Sequence, residues 1–262
     1  MSISGIFDSH SHYNSIEFDG CRNELLVKML SDGSPVTGII HAATDTESML
    51  FGIRCAEKYE RFYTSVGFHP ESVPELPPDP EQILSDMLTR SDKICAVGEV
   101  GLDYHYEGFD RENQISLLRM EIELAMKHDL PLIFHCRNAT VDFMQLMREY
   151  RPKGVVHCFS GSAETARELT DLGLYLGFGG VLTYSNSKRV KKAFAAVPDD
   201  RFLFETDCPY LAPEPFRGEV CTSYMIEQTA LCGAEIKQTS AQSLADKARE
   251  NTLRLFGIDL NK

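Results

Sequence analysis

GIFDSHSH (residues 5–12) is a short apolar run that ends on two histidines. Read as a strand, it places residues i and i+2 on one side, so His10 and His12 can face one ion together. Four further apolar runs carry the same kind of cargo. ICAVGEVGLD (94–103) holds Glu99 and Asp103, and LPLIFHCR (130–137) ends on His135 and Arg137. GVVHCF (154–159) holds His157, and FLFETDCP (202–209) places Glu205 and Asp207 on one strand face. Imidazole nitrogen and carboxylate oxygen are ligands for zinc, manganese or magnesium. Gathering them from many strand ends is how a barrel builds a metal site in its mouth.

Outward from these runs, the chain alternates. Apolar strand candidates fall at 5–10, 36–44, 61–67, 94–98, 130–136, 153–158, 174–182 and 202–206. Helical stretches lie between them near 21–31, 45–59, 79–90, 110–128, 138–150, 162–172 and 186–196. A further pair follows near 222–232 and 238–256. Asp110 and Ser162 have the character of helix N-caps, and Gly154 and Gly173 of helix-to-strand turns. Continuous apolar strands alternating with amphipathic helices imply a parallel sheet covered by helices. Eight such units in 262 residues predict an α/β fold, a (β/α)8 TIM barrel, as one domain spanning residues 1–262. An open doubly wound sheet would carry a glycine-rich phosphate loop at its first turn, which this chain lacks. The proline-rich stretch 70–82 reads as a loop over the mouth.

Composition bounds the function. No apolar run approaches a membrane span, and nothing before the first strand has the pattern of a signal peptide. The eight cysteines form no CxxC pair, so a reduced cytoplasmic protein is expected. A net charge of −13 argues against broad binding of long duplex DNA, which needs many Lys and Arg contacts to phosphate. It does not exclude a phosphate substrate, because two divalent ions would make the mouth locally positive.

The order and spacing of the motifs resemble the TatD family of metal-dependent deoxyribonucleases, within the amidohydrolase superfamily. The matching stretches are FDSHSH at 7–12, GFHP at 67–70, GEVGLDY at 98–104, LPLIFHCRNA at 130–139, GVVHCFSGS at 154–162, ETDCPYLAP at 205–213 and ENTLRLF at 250–256. The resemblance implies a TIM barrel with two divalent ions. His10, His12, Glu99 and Asp207 would hold one, and Glu99, as a bridge, would hold the other with His135 and His157. It also implies hydrolysis of DNA phosphodiesters, often from an end. Two departures from the family pattern are Asn14 and the segment Glu219–Ser223, which is expected to edge the substrate site.

The chemistry agrees. Two ions roughly 3.5–4 Å apart activate water and stabilise the attacking and leaving oxygens of an in-line displacement. Glu99 offers two oxygens as a bridge, and Asp207 can also accept the proton of the attacking water. Arg137, two residues after His135, can clamp a phosphate oxygen, or instead pair with Glu205 or Asp103. His69 can donate to phosphate, or simply cap the turn before Pro70. Glu205 and Asp103 are expected to orient the histidines. Tyr104, Tyr106 and Phe109 either stack on bases or pack their own loop. The basic run 187–192 suits a solvated helix face better than a nucleic-acid contact, and His41 suits a structural role. The expected partner is DNA or another phosphodiester, bound locally by a monomer, without a membrane. The alternative is hydrolysis of an amide or an aminoacyl ester such as D-aminoacyl-tRNA. Many amide-cleaving relatives bridge their ions with a modified lysine on strand four, where this chain has Glu99.

Overall fold

Eight parallel strands follow one another around a ring in chain order. The computed structural model describes residues 3–260. The strands are β1 (Ile6–Ser11), β2 (Val36–His41), β3 (Phe62–Val66), β4 (Ile94–Asp103), β5 (Leu132–Arg137), β6 (Gly154–Val156), β7 (Tyr175–Phe178) and β8 (Phe202–Phe204). The helices are α1 (Arg22–Met29), α2 (Thr46–Lys58), α3 (Pro80–Leu88), α4 (Arg111–Lys127), α5 (Thr140–Tyr150), α6 (Ala163–Asp171), α7 (Lys188–Ala196), α8 (Ile226–Lys237) and α9 (Ala241–Phe256). Beyond the end of β8 the ring closes on β1. The Asp207 N–H donates to the His10 carbonyl at 3.0 Å and the His12 N–H to the Cys208 carbonyl at 2.8 Å. The fold is the expected (β/α)8 barrel in one domain.

The core explains the closure. Phe7, Ile40, Ala96, Ile133, Val155, Tyr175 and Leu203 form one buried cluster with Phe256. These residues come from seven strands around the ring, so the cluster fills the barrel's interior. A larger cluster joins strand residues such as Phe134 and Phe202 to helix residues such as Phe143 and Phe194. Ring pairs Phe134–Phe143 and Phe194–Phe202 meet edge to face at 5.4 and 5.3 Å.

Local signals place the helices. Asp110 accepts from the Asn113 N–H at 3.1 Å and Ser162 from the Thr165 N–H at 3.2 Å, as N-caps do. Gly173, at φ 97°, ends α6 as expected. Gly154 is a different case. Arg151, at φ 47°, makes the turn after α5, and Gly154 starts β6 where a Cβ would lie 2.5 Å from the Leu132 carbonyl. Residues 70–75 form a 3-10 turn after β3.

Three strand boundaries differ in ways that matter, and β8, expected to reach residue 206, ends at Phe204. β4 extends to Asp103, past the expected end at residue 98, so Glu99 lies inside a strand and not at its tip. A register shift between Gly98 and Val100 sets that residue apart from the regular ladder. β6 stops at Val156, short of residue 158, and the backbone turns at Cys158 with φ 44°.

Candidate metal centre

Glu99 sits at the centre of the mouth, and its two carboxylate oxygens face two different groups of donors. Oε2 lies 3.3 Å from His10 Nε2 and 3.5 Å from His12 Nε2. Asp207 Oδ1 completes this group at 3.2 Å from His12 Nε2 and 3.6 Å from His10 Nε2. Oε1 lies 2.8 Å from His157 Nε2, 3.1 Å from His135 Nδ1 and 3.5 Å from His69 Nε2.

The strand geometry produces this arrangement only in part. His10 and His12 converge as i, i+2 neighbours, with Nε2 atoms 3.0 Å apart. Glu205 and Asp207 do not share a strand face, because β8 ends at Phe204 and Asp207 adopts φ 61°. Glu205 turns beneath β7, where the missing side chain of Gly177 makes room: a Cβ there would lie 2.2 Å from Glu205 Oε2. It accepts from the Cys158 N–H and faces His157 Nδ1 at 3.9 Å. Asp103 Oδ2 accepts from His135 Nε2 at 2.9 Å.

The electrostatics ask for positive charge between these groups. With the His135 proton on Nε2, its Nδ1 lone pair confronts Glu99 Oε1 at 3.1 Å and His157 Nε2 at 3.2 Å. Burial opposes the charge of Glu99, but His157, His10 and His69 outweigh it and hold its carboxyl well below the usual range. Burial likewise opposes a charged His157, yet Glu99 raises it to about 9. Burial drives His10 the other way, to about 4. Glu205 is pushed up to about 8 by burial, against the pull of His157 and the Cys158 N–H.

The donor set fits divalent cations. Bonds of about 2.0 Å in a tetrahedron give donor–donor edges of about 3.3 Å. Among His10, His12, Glu99 and Asp207, five such separations fall between 3.0 and 3.6 Å. Glu99, His135 and His157 form a second, three-donor group with separations of 2.8–3.2 Å. A three-donor group leaves a position for water or substrate, the pattern of a catalytic ion.

A cleft of about 900 Å³ opens above these groups. Glu71 and Glu75 stand on its rim, with Tyr106, Arg137 and Tyr210 also lining it. Arg137 is exposed; its Nη1 is 3.9 Å from Asp103 Oδ2, and its guanidinium lies 5.4 Å from the Tyr106 ring centroid. His69 caps the 3-10 turn that begins at Pro70. Its Nδ1 accepts from the Glu71 N–H at 3.2 Å, which leaves the proton of the neutral ring on Nε2, facing Glu99. Tyr104 and Phe109 stack on each other at 4.5 Å and pack their loop, whereas Tyr106 is left to the cleft. His41 is fully buried with Nε2 3.2 Å from the Ser48 carbonyl, a structural histidine. The segment Glu219–Ser223 does not line the cleft; its place at the rim is taken by Tyr210 and Leu211.

Its last residue, Ser223, instead joins a buried network that sequence reading missed. Asp8 accepts from Thr206 Oγ1 and Ser223 Oγ, both at 2.7 Å, and from the Thr206 N–H at 3.0 Å. Tyr13 Oη meets Ser223 Oγ at 2.7 Å. Asp8 thereby ties β1 to the residue preceding Asp207. The signal was present in FDSHSH: a carboxylate inside an apolar run, two residues before His10. Glu121 on α4 was also missed. It is fully buried and accepts from the Phe68 N–H at 2.8 Å, bracing the segment that carries His69.

Comparisons with known proteins agree with this architecture. A family model described as TatD related DNase matches residues 7–257. The chain is 34% identical over 257 residues to YabD, an uncharacterized metal-dependent hydrolase of Bacillus subtilis (strain 168), covering 97% of this chain and 100% of that one. It is 31% identical over 263 residues to the uncharacterized metal-dependent hydrolase YcfH of Escherichia coli (strain K12), covering 98% and 97%. Among solved structures, YjjV, a TatD homologue from Escherichia coli K12, superposes with a TM-score of 0.90 at 29% identity, covering 97% of this chain and 99% of that one.

Proposed function

The chain belongs to the family of TatD-related DNases and is a metal-dependent hydrolase, and on that premise we propose that it cleaves DNA phosphodiesters at accessible single-stranded ends. The observation that carries the reading is Glu99, whose two oxygens each face a separate nitrogen group. One divalent ion (zinc, manganese or magnesium) would be held by His10, His12, Glu99 and Asp207, and a second by Glu99, His135 and His157. Such a pair of ions supplies Lewis acidity and lowers the pKa of water.

The chain's own residues do the rest. Asp207, partly exposed at the cleft floor, accepts the proton of the attacking water. His69 presents Nε2–H towards the leaving or non-bridging oxygen. Arg137 contacts a phosphate oxygen from the exposed wall, and Tyr106 beside it offers a face to a base. Asp103 fixes the ring of His135, and Glu205 fixes the bend that presents His157. Glu71 and Glu75 repel phosphate on the facing rim, which favours a strand end over a strand passing through. Binding is local and the chain acts as a monomeric unit of residues 1–262. No helix among the described residues is long and apolar enough to cross a membrane. All eight cysteines are free, which suits the reducing cytoplasm.

The test is hydrolysis by the purified, metal-loaded enzyme of single-stranded DNA, duplex DNA, RNA and an aminoacyl ester. Release of nucleotides from single-stranded ends supports the reading. DNA left intact while the ester is cleaved would replace it.

A further inference from the structure

Beside the metal groups, under the N-termini of α5 and α6, lies a second, smaller cavity of about 120 Å³. It shares Cys136, His157 and Ser160 with the main cleft, so the two adjoin at the second donor group. Its lining differs in charge. The main cleft is lined by Glu71, Glu75, Glu99, Asp103 and Asp207, whereas no Asp or Glu lines the small cavity. Besides Cys136 and His157, its polar groups are Asn138, Thr140, Ser160, Thr165 and Arg189, set over an apolar floor that includes Phe143 and Leu169. These are hydrogen-bond donors of the kind that hold an oxyanion.

Arg189 has no hydrogen bond or ion pair among the described residues; Glu164 feels its charge without bonding to it. It sits in the first turn of α7, next to Lys188, where no acidic residue is present. Cations at a helix N-terminus oppose the helix dipole. The Ser187 hydroxyl does not cap that helix but donates to the Tyr184 carbonyl at 2.8 Å. Arg189 is thus an exposed, unpaired cation, among the described residues, at the wall of a cavity without carboxylates.

The geometry points to a phosphate subsite in this cavity, which takes a second phosphate group of the substrate strand, next to the bond being hydrolysed. The inference rests on the phosphodiester reading for its substrate. The apolar floor closes the cavity, so a terminal phosphate, with three free oxygens, fits it better than a phosphate inside a continuing strand. The basic run 187–192 then contributes Arg189 to the substrate, and the strand is held at two phosphates, by Arg137 on one side and Arg189 on the other.

Two measurements test it. Inorganic phosphate is titrated calorimetrically into metal-loaded wild type and Arg189→Gln, with metal content checked in both. Two phosphates bound per wild-type chain and one per variant chain support the subsite. Equal stoichiometry and affinity in both proteins overturn it. In parallel, kcat/KM is compared for a dinucleotide with one phosphodiester and for the same dinucleotide bearing an added terminal phosphate. The wild type should favour the phosphorylated form by about 10-fold, mainly through KM, the worth of a charge-assisted hydrogen bond. Arg189→Gln should lose that preference and Arg189→Lys recover part of it. An undiminished preference in Arg189→Gln overturns the proposal. Should DNA prove not to be a substrate at all, the phosphate stoichiometry still decides the subsite, and only the phosphodiesterase reading falls.

Discussion

Replacing Asp8 by alanine should weaken the fold in a pH-dependent way. The carboxyl accepts from the Thr206 N–H, Thr206 Oγ1 and Ser223 Oγ at 2.7–3.0 Å, and from the His10 N–H at 3.3 Å. Asp8→Ala leaves three well-made buried donors without an acceptor. At about 1–1.5 kcal/mol each, the gross loss is about 4 kcal/mol with the carboxyl neutral. Burial raises the Asp8 pKa from 3.8 to about 6, against the hydrogen bonds from Ser223 and Thr206. A raised pKa means that the folded state holds the proton more tightly than the unfolded one. The wild type is therefore most stable below 3.8 and loses stability as pH climbs towards about 6. The penalty is about 2 kcal/mol at pH 5 and about 3 kcal/mol at pH 7. Alanine carries no such penalty, so Asp8→Ala should cost about 2 kcal/mol at pH 5 and about 1 kcal/mol at pH 7. Urea unfolding of both proteins in metal-free buffer at the two pH values measures this. A loss below about 0.5 kcal/mol at pH 5, or a gap that widens with pH, would refute the reasoning.

Glu121→Gln should gain on the wild type as pH rises above 4.5, because burial holds the Glu121 carboxyl protonated in the fold while the unfolded chain ionises; a stability difference flat from pH 5 to 7 would contradict this. Asp103→Asn disturbs the hydrogen bond to His135 Nε2 and should weaken metal affinity about 10–100-fold, read by competition with a chromophoric chelator. Arg137→Ala should raise KM for single-stranded DNA about 10-fold or more while metal content stays unchanged, since Arg137 donates to the Tyr106 hydroxyl at 3.5 Å and lies 3.9 Å from Asp103 Oδ2; lost metal would reassign it to holding the centre.

The barrel was legible because strand runs such as LIFHC and GVVHC are continuously apolar and helix starts such as Asp110 carry caps. The convergence of His10 and His12 followed from the two-residue strand period. Period alone could not place Glu99, which a register shift sets inside β4, nor Asp207, whose left-handed backbone turns it away from the face of Glu205. Such features depend on neighbouring strands, not on local pattern. Asp8 stayed hidden for a related reason: its partners Thr206 and Ser223 lie 198 and 215 residues away. The segment Glu219–Ser223, expected at the substrate rim, stays outside the cleft lining: Ser223 is buried against Asp8 and Tyr13, while Glu219 and Val220 are exposed elsewhere.

The bridging role of Glu99 is the central claim, and counting ions per chain by native mass spectrometry tests it directly. After manganese loading, the wild type should carry two ions and release nucleotides from single-stranded DNA. Glu99→Ala should retain the barrel's circular dichroism, carry at most one weakly held ion, and hydrolyse DNA no faster than background. A Glu99→Ala protein that still held two ions, or that turned over at the wild-type rate, would contradict the account.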